Sequence, residues 1–179
     1  MKIISGKYKG RKLLGYNIDG TRPTMDRVKS SLFDTIQDYL SDALVLDLFA
    51  GSGALGIEAL SQGAKFIYFV DNNIKILNIL NKNIDNINIG TYTKVIKSDY
   101  LYFLKNTELK FDIIFLDPPY NTDFIINALD IINKRNILNK NGIIVCESDN
   151  LDRINTSNYK VIKNKKYGDK YIVILKEIV

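Results

Sequence analysis

Ala43-Leu44-Val45-Leu46-Asp47-Leu48-Phe49-Ala50-Gly51-Ser52-Gly53-Ala54-Leu55-Gly56 is the stretch on which the fold turns. Residues 43–49 form an apolar run broken only by Asp47, the pattern of a strand buried on both faces. Small residues follow at 50–53, and a helix is predicted from about Ala54 to Gln62, with Gly63 at its stop. Strand, glycine-rich turn and helix together open a βαβ unit.

The same alternation continues downstream. Residues 66–70 predict a second strand, ended by Asp71, and Ile74, Ile76, Leu77, Ile79, Leu80 and Ile84 mark the next helix. Further strands are predicted at 95–97, 111–116 and 142–146, with helices at 100–105 and 124–132 between them. The last two strands, 159–163 and 171–175, flank Tyr167-Gly168-Asp169, a turn that predicts antiparallel pairing. The prediction is an α/β fold: a seven-stranded, mostly parallel sheet with an antiparallel last strand and helices on both faces. Ligands of such sheets bind beyond the carboxyl ends of the strands, near the switch point. The residues just after each strand are therefore the candidate site.

Composition narrows the chemistry. A chain of 179 residues, 46% hydrophobic and 25% charged, has the size and make-up of one globular domain. With no histidine, His-based triads and His-ligated metals are excluded, and a lone Cys146 forms no internal disulfide. Cys146 reads as a core residue. Apolar runs such as 66–70 and 111–116 stop far short of a membrane span, and Met1-Lys2-Ile3-Ile4 does not open a signal peptide. The expectation is a cytoplasmic monomer without membrane or metal.

The net charge of +5 is unevenly spread. Lys2, Lys7, Lys9, Arg11, Lys12, Arg22, Arg27 and Lys29 face only Asp19 and Asp26, so the first 30 residues hold more surplus than the whole chain. Short apolar pieces around Gly6 and Gly10 predict a hairpin over residues 2–16, and Thr24 is placed to cap a helix running to about Gln37. We divide the chain into a basic hairpin extension, 1–22, and a main domain, 23–179. A concentrated basic arm suits a phosphate backbone, although a solvated charged hairpin has the same composition.

The turn Ala50-Gly51-Ser52-Gly53 lets a ligand approach the backbone, and the helix behind it points amides at the same place. Alone, it suits a dinucleotide, a nucleoside or a plain tight connection. Asp71, about 20 residues beyond, stands where an acid takes the hydroxyls of a ribose, which is favoured over its capping the next helix. Asn72 is a further candidate for the adenosine part. Asp99, with Ser98, either meets an adenine edge or caps the helix at 100–105. Two features favour S-adenosylmethionine over NAD. Asp47 would repel a pyrophosphate and attract a cationic methionyl group, and the loop departs from the Gly-x-Gly-x-x-Gly spacing.

Asp117-Pro118-Pro119-Tyr120, directly after the strand at 111–116, carries the catalytic reading. Two prolines leave carbonyls with no neighbouring amide donors. The Asp117 carboxylate and the Pro118 carbonyl can accept both hydrogens of an exocyclic base amine, orienting its lone pair toward a methyl donor. Tyr120 offers a face for stacking an extruded base. Displacement at a sulfonium has a good leaving group, so alignment supplies much of the acceleration.

Together with these motifs, Arg22-Pro23-Thr24, Asp26-Arg27-Val28-Lys29, Leu32-Phe33, Gly56-Ile57-Glu58-Ala59-Leu60, Gly63-Ala64 and the opening Ile4-Ser5-Gly6-Lys7-Tyr8-Lys9-Gly10-Arg11-Lys12-Leu13 resemble the bacterial 16S ribosomal RNA guanine-N2 methyltransferases of the RsmD type. The resemblance covers essentially the whole chain. It implies a class I, Rossmann-like methyltransferase fold and methylation of a guanine N2 amine in small-subunit rRNA, within an assembled or nearly assembled 30S particle. It carries cofactor roles onto Ala50, Gly51, Gly53, Asp71 and Asp99, beside which Asp47, Ser52 and Asn72 stand as cofactor candidates from the residues themselves, and catalytic roles onto Asp117, Pro118, Pro119 and Tyr120. By the same resemblance Arg22, Thr24 and Arg27 line the site entrance and touch RNA or cofactor, or else anchor the first helix to the sheet, while Lys7 and Arg11 are the RNA-contact candidates of the basic arm. Glu58 matches as a packing or ion-pair residue, and Glu147 as a support of the pocket. The competing readings are a DNA adenine-N6 methyltransferase, a dinucleotide oxidoreductase and a noncatalytic RNA-binding factor on the same fold.

Overall fold

A computed structural model describes residues 1–15 and 22–178, with the backbone alone for 22–25. The chain runs α1 (Arg22–Ile36), β1 (Leu44–Asp47), α2 (Ala54–Ser61), β2 (Phe66–Asp71), α3 (Ile74–Ile87), β3 (Thr93–Lys97), α4 (Tyr100–Asn106), β4 (Phe111–Leu116), α5 (Phe124–Arg135), β5 (Leu138–Ser148), β6 (Tyr159–Tyr167) and β7 (Lys170–Glu177). All seven strands join one sheet in the order β3-β2-β1-β4-β5-β7-β6. The pairs from β3 to β5 are parallel, whereas β7 runs antiparallel to both β5 and β6.

Side chains on a strand alternate between faces, and each face here is covered by helices. Val45, Ile113, Phe115, Ile143 and Val145 pack on one side with Leu32, Phe33 and Ile36 of α1, Ile57 of α2 and Leu77, Leu80 and Ile84 of α3. Their neighbours Leu46, Ile114, Leu116, Ile144 and Cys146 pack on the other side with Phe103 and Leu104 of α4 and Ile125, Leu129 and Ile132 of α5. The continuous apolar runs in the sequence are thus strands buried twice. Cys146 lies in this core, where burial pushes its thiol pKa up.

The predicted elements of the main domain appear in the predicted order, with three differences. β7 inserts between β5 and β6, so the antiparallel last strand lies inside the sheet and β6 forms its edge. β5 and β6 are longer than the apolar runs that announce them, because a polar residue on a ladder costs little where solvent reaches one face. Thr24 lies within α1 rather than capping it, because the helix begins at Arg22, ahead of Pro23, whose fixed φ suits a first turn.

The predicted hairpin at the N-terminus is reduced to one antiparallel bridge, Lys2 with Lys12. The amides of Ile4 and Ser5 donate to the Glu58 carboxylate on α2 instead of to a facing strand, which stops the ladder from extending. Ser61 completes the clamp: its hydroxyl accepts from the Tyr8 amide and donates to the Ser5 carbonyl. Gly6 packs so closely that a Cβ there would lie 1.8 Å from the Ser61 carbonyl oxygen. Residue 16 of the predicted hairpin lies outside the described residues. No described helix is long and apolar enough to cross a membrane.

Candidate active site

β1 is flanked by β2 on one side and β4 on the other, which makes its carboxyl end the switch point of the sheet. The turn after β1 bends back through Gly51 and Gly53, both with positive φ (56° and 84°). Gly53 precedes α2 and offers no side chain to cap it. Asp47 supplies the missing acceptor from the end of β1: its Oδ2 takes the Gly56 amide at 3.0 Å. At Gly53 a Cβ would meet Leu80 Cδ1 at 2.3 Å, so the tight passage over α3 requires glycine.

Asp71, at the end of β2, ties this turn to the next one. One carboxylate oxygen accepts the Gly51 amide at 3.1 Å and the other the Asn73 amide at 2.9 Å. The cap of α3 is Asn73, whose side chain accepts from Lys75, so Asp71 is not spent on that role. Asp99 does cap α4, with Oδ1 accepting from Tyr102 at 3.0 Å. It remains exposed at the rim, so the capping and ligand readings are compatible.

These ends surround a cavity of about 700 Å³, within the usual range for small-molecule sites. Its wall includes Gly51, Asp71, Asn72 and Asp99 on one side and Asp117, Pro118, Pro119 and Tyr120 on the other. The glycine turn and the Asp-Pro-Pro-Tyr loop therefore face one shared space. Phe49, Tyr100 and Phe124, which carried no functional reading in the sequence, form an aromatic wall with ring centroids 4.8–5.9 Å apart. Their only sequence signal is position, each standing at or next to the end of an element.

Other predicted residues do not line this cavity. Asp47 is 2% exposed and stands behind the wall, so its carboxylate bonds to α2 rather than reaching into the space. Burial, partly offset by the Gly56 amide and reinforced by the Asp71 charge, lifts its pKa to about 7. Ala50, Ser52 and Gly53 shape the turn from behind Gly51: the Ala50 amide bonds to Val70 and the Ser52 carbonyl to Asn83.

Asp117 departs from an ordinary exposed carboxylate. It sits partly covered at the bottom of the cleft, and its pKa is raised well above the usual value by burial and by Glu147. Lys170 lowers it, and Asp47 raises it further. Register explains the neighbours. Leu116 pairs with Cys146 across β4 and β5, so Asp117 and Glu147 emerge side by side, and Lys170 begins β7 next to the end of β5. The Lys170 ammonium is bonded to Glu147 Oε1, lies 5.3 Å from the centre of the Tyr120 ring, and Tyr120 donates to the same Oε1 at 3.5 Å. Asp117 also lines a second cavity of about 390 Å³, together with Asp26, Lys29, Glu147, Asp169 and Lys170. Lys170 was missed from sequence, where only the turn before it was legible.

On the basic N-terminal segment, Lys7 is exposed over the rings of Tyr8 and Tyr92, at 5.3 and 5.9 Å. Arg11 donates to the Asn86 carbonyl at 3.3 Å, and Arg27 is exposed on α1 beside Lys9 and Gly10. The side chains of Arg22 and Thr24 lie outside the described residues.

A family model described as Conserved hypothetical protein 95 matches residues 1–176. Ribosomal RNA small subunit methyltransferase D of Haemophilus influenzae is 37% identical, over 94% of this chain and 89% of that protein. The protein of the same name from Escherichia coli K12 is 34% identical, over 83% of this chain and 75% of its own length. The solved structure of yhhF from Escherichia coli superposes with a TM-score of 0.87 at 30% identity, covering 99% of this chain and 97% of that one. The family match over residues 1–176 and these likenesses agree with the two loops that meet at the switch point: this chain belongs to the conserved hypothetical protein 95 family, that of the ribosomal RNA small subunit methyltransferases D.

Proposed function

We propose that this protein transfers a methyl group from S-adenosylmethionine to the exocyclic N2 amine of a guanine in small-subunit ribosomal RNA. The observation that carries the reading is the single cavity shared by the Gly51 turn and the Asp117–Tyr120 loop. The residues present suit the donor. A Cβ at Gly51 would come no closer than 4.0 Å to the protein, so that position opens onto free space beside Asp71. The Asp71 and Asp99 carboxylates face hydroxyls and an adenine edge, and Phe49, Tyr100 and Phe124 give the ring an apolar wall. When bound there, S-adenosylmethionine supplies a methyl group on a cationic sulfur.

Asp117 and the Pro118 carbonyl accept the two N2 hydrogens and turn the nitrogen lone pair toward the methyl group. A donor held there would give up its methyl group to that lone pair and leave as a neutral thioether. The amine then releases a proton, which the raised pKa of Asp117 equips its carboxylate to take. Tyr120, 43% exposed, stacks on the base. The basic extension 1–22 contributes Lys7, Arg11 and Arg22 to RNA binding, and Thr24 and Arg27 add to it from the main domain, 23–179, which carries the chemistry. The enzyme acts as a monomer in the cytoplasm on the 30S particle.

The test is methyl transfer from labelled S-adenosylmethionine to unmodified small subunits, free 16S rRNA and DNA, followed by nucleoside analysis. N2-methylguanosine from the ribosomal substrates is expected, with Asp117→Ala binding the donor but losing most turnover. Label found only as N6-methyladenine in DNA would overturn the reading in favour of the rival enzyme. Binding of RNA without turnover on any substrate would leave a noncatalytic factor.

A further inference from the structure

The second cavity is not lined by Gly51, Asp71 or Asp99, yet it shares Asp117 with the first. Its floor carries a charged pair, Glu147 and Lys170, brought together from β5 and β7. Glu147 is largely covered, with its side chain 14% exposed, and Lys170 is 38% exposed. Both bonds that Glu147 receives use Oε1, which leaves Oε2 without a partner among the described residues. Burial works against the Lys170 ammonium, but Glu147, Tyr120 and Asp117 hold its pKa above that of an ordinary lysine. The pair thus presents a fixed acceptor and a fixed donor beside the residue that meets the amine.

An extruded base is read on its Watson–Crick edge. Guanine presents there, in order, the N2 amine, the N1–H donor and the O6 acceptor. Adenine presents an acceptor at N1 and an amine at position 6. Along the rim of the sheet the groups stand in the order Asp117, Glu147, Lys170, at the ends of β4, β5 and β7. Acceptor, acceptor and donor complement guanine's donor, donor and acceptor in sequence. Against adenine, the carboxylate would meet a lone pair and the ammonium an amine, and unpaired buried polar groups are costly.

We propose that Glu147 and Lys170 are the specificity-determining pair of this enzyme, Glu147 Oε2 accepting guanine N1–H and Lys170 donating to O6 while Asp117 holds N2. This rests on the proposed guanine-N2 reaction and adds the residues that choose the base. Tyr120, bonded to Glu147 and lying against Lys170, couples the stacking face to the reading pair.

The test exchanges the mapped acceptor guanine of 16S rRNA, free and reconstituted into small subunits, for 2,6-diaminopurine. That base keeps the N2 amine but carries an acceptor at N1 and an amine at position 6. Wild type should prefer guanine in kcat/KM by about 10-fold or more, the scale of one well-placed base contact. Glu147→Gln, whose amide can donate to N1, and Lys170→Met should each collapse that ratio, while donor affinity measured by calorimetry stays within about 2-fold of wild type. Thermal melting checks folding, and if Glu147→Gln unfolds, Lys170→Met reads the same ratio. Variants that slow both substrates equally and keep the guanine preference would overturn the assignment. A wild type that makes no N2-methylguanosine would instead overturn the underlying reaction.

Discussion

The Lys29 ammonium lies 3.0 Å from Glu58 Oε2, and both side chains are almost wholly buried, at 7% and 0% exposure. The same carboxylate takes the Ile4 and Ser5 amides, and the ammonium donates to the Lys2 carbonyl at 2.8 Å. One ion pair therefore fastens the basic N-terminal segment to both α1 and α2. Removing one partner strands the other charge in the interior. Glu58→Ala should cost about 3–5 kcal/mol of stability in urea titration. The double variant Glu58→Gln, Lys29→Met should lose less than the sum of the two single changes.

On the proposed reaction, Asp117 sets the pH dependence of turnover. Its working form is the carboxylate, so activity rises with pH through its raised pKa, and the acid limb of kcat/KM should lie well above the usual carboxylate range. Lys170 lowers that pKa and Glu147 raises it. Lys170→Met should therefore move the limb to higher pH and Glu147→Gln to lower pH. A limb that stays in place in both variants would refute the electrostatic coupling.

Asp47 should show itself in stability rather than in rate. Its folded pKa is about 7, against 3.8 for an unperturbed group. The folded state thus holds a proton that the unfolded chain releases, and this contribution is complete below about pH 4. It is lost as pH rises through about 7. Asp47→Asn keeps an acceptor for the Gly56 amide and removes the titration. Its Tm should fall less steeply between pH 4 and 7 than that of the wild type, and exceed it by a few degrees at pH 8.

Gly6→Ala tests whether the N-terminal segment acts in RNA binding. An added Cβ would collide with the Ser61 carbonyl, and at φ +82° the residue is strained as well. The segment should detach while the sheet and the donor cavity persist. Limited proteolysis should cut near residue 6, methyl-donor affinity should hold, and rRNA affinity should drop about 10-fold or more, with a shallower salt dependence. Unchanged RNA affinity in a detached segment would remove it from the interface.

Much of the candidate site's lining was legible because it lies at strand ends. Gly51, Asp71, Asn72, Asp99 and the Asp117–Tyr120 loop each follow an apolar run, and a parallel sheet carries all such ends to one rim. Asp47 does not line the cavity, for a physical reason. An acid before a glycine turn can point at a ligand or at the first helix amides, and the local residues are the same in both cases. Packing decided for Gly56.

The order of strands and helices, the two-faced burial of the sheet and the small-residue turn follow from periodicity and residue size, which act over a few positions along the chain. The pairing of Glu147 with Lys170 and of Glu58 with Lys29 does not. Those partners come from different elements and obey no repeat, so they meet only after β7 has slipped between β5 and β6 and α1 has docked beside α2. Charge placement at the bottom of the cleft, and with it the upward shift of the Asp117 pKa, was decided by that docking.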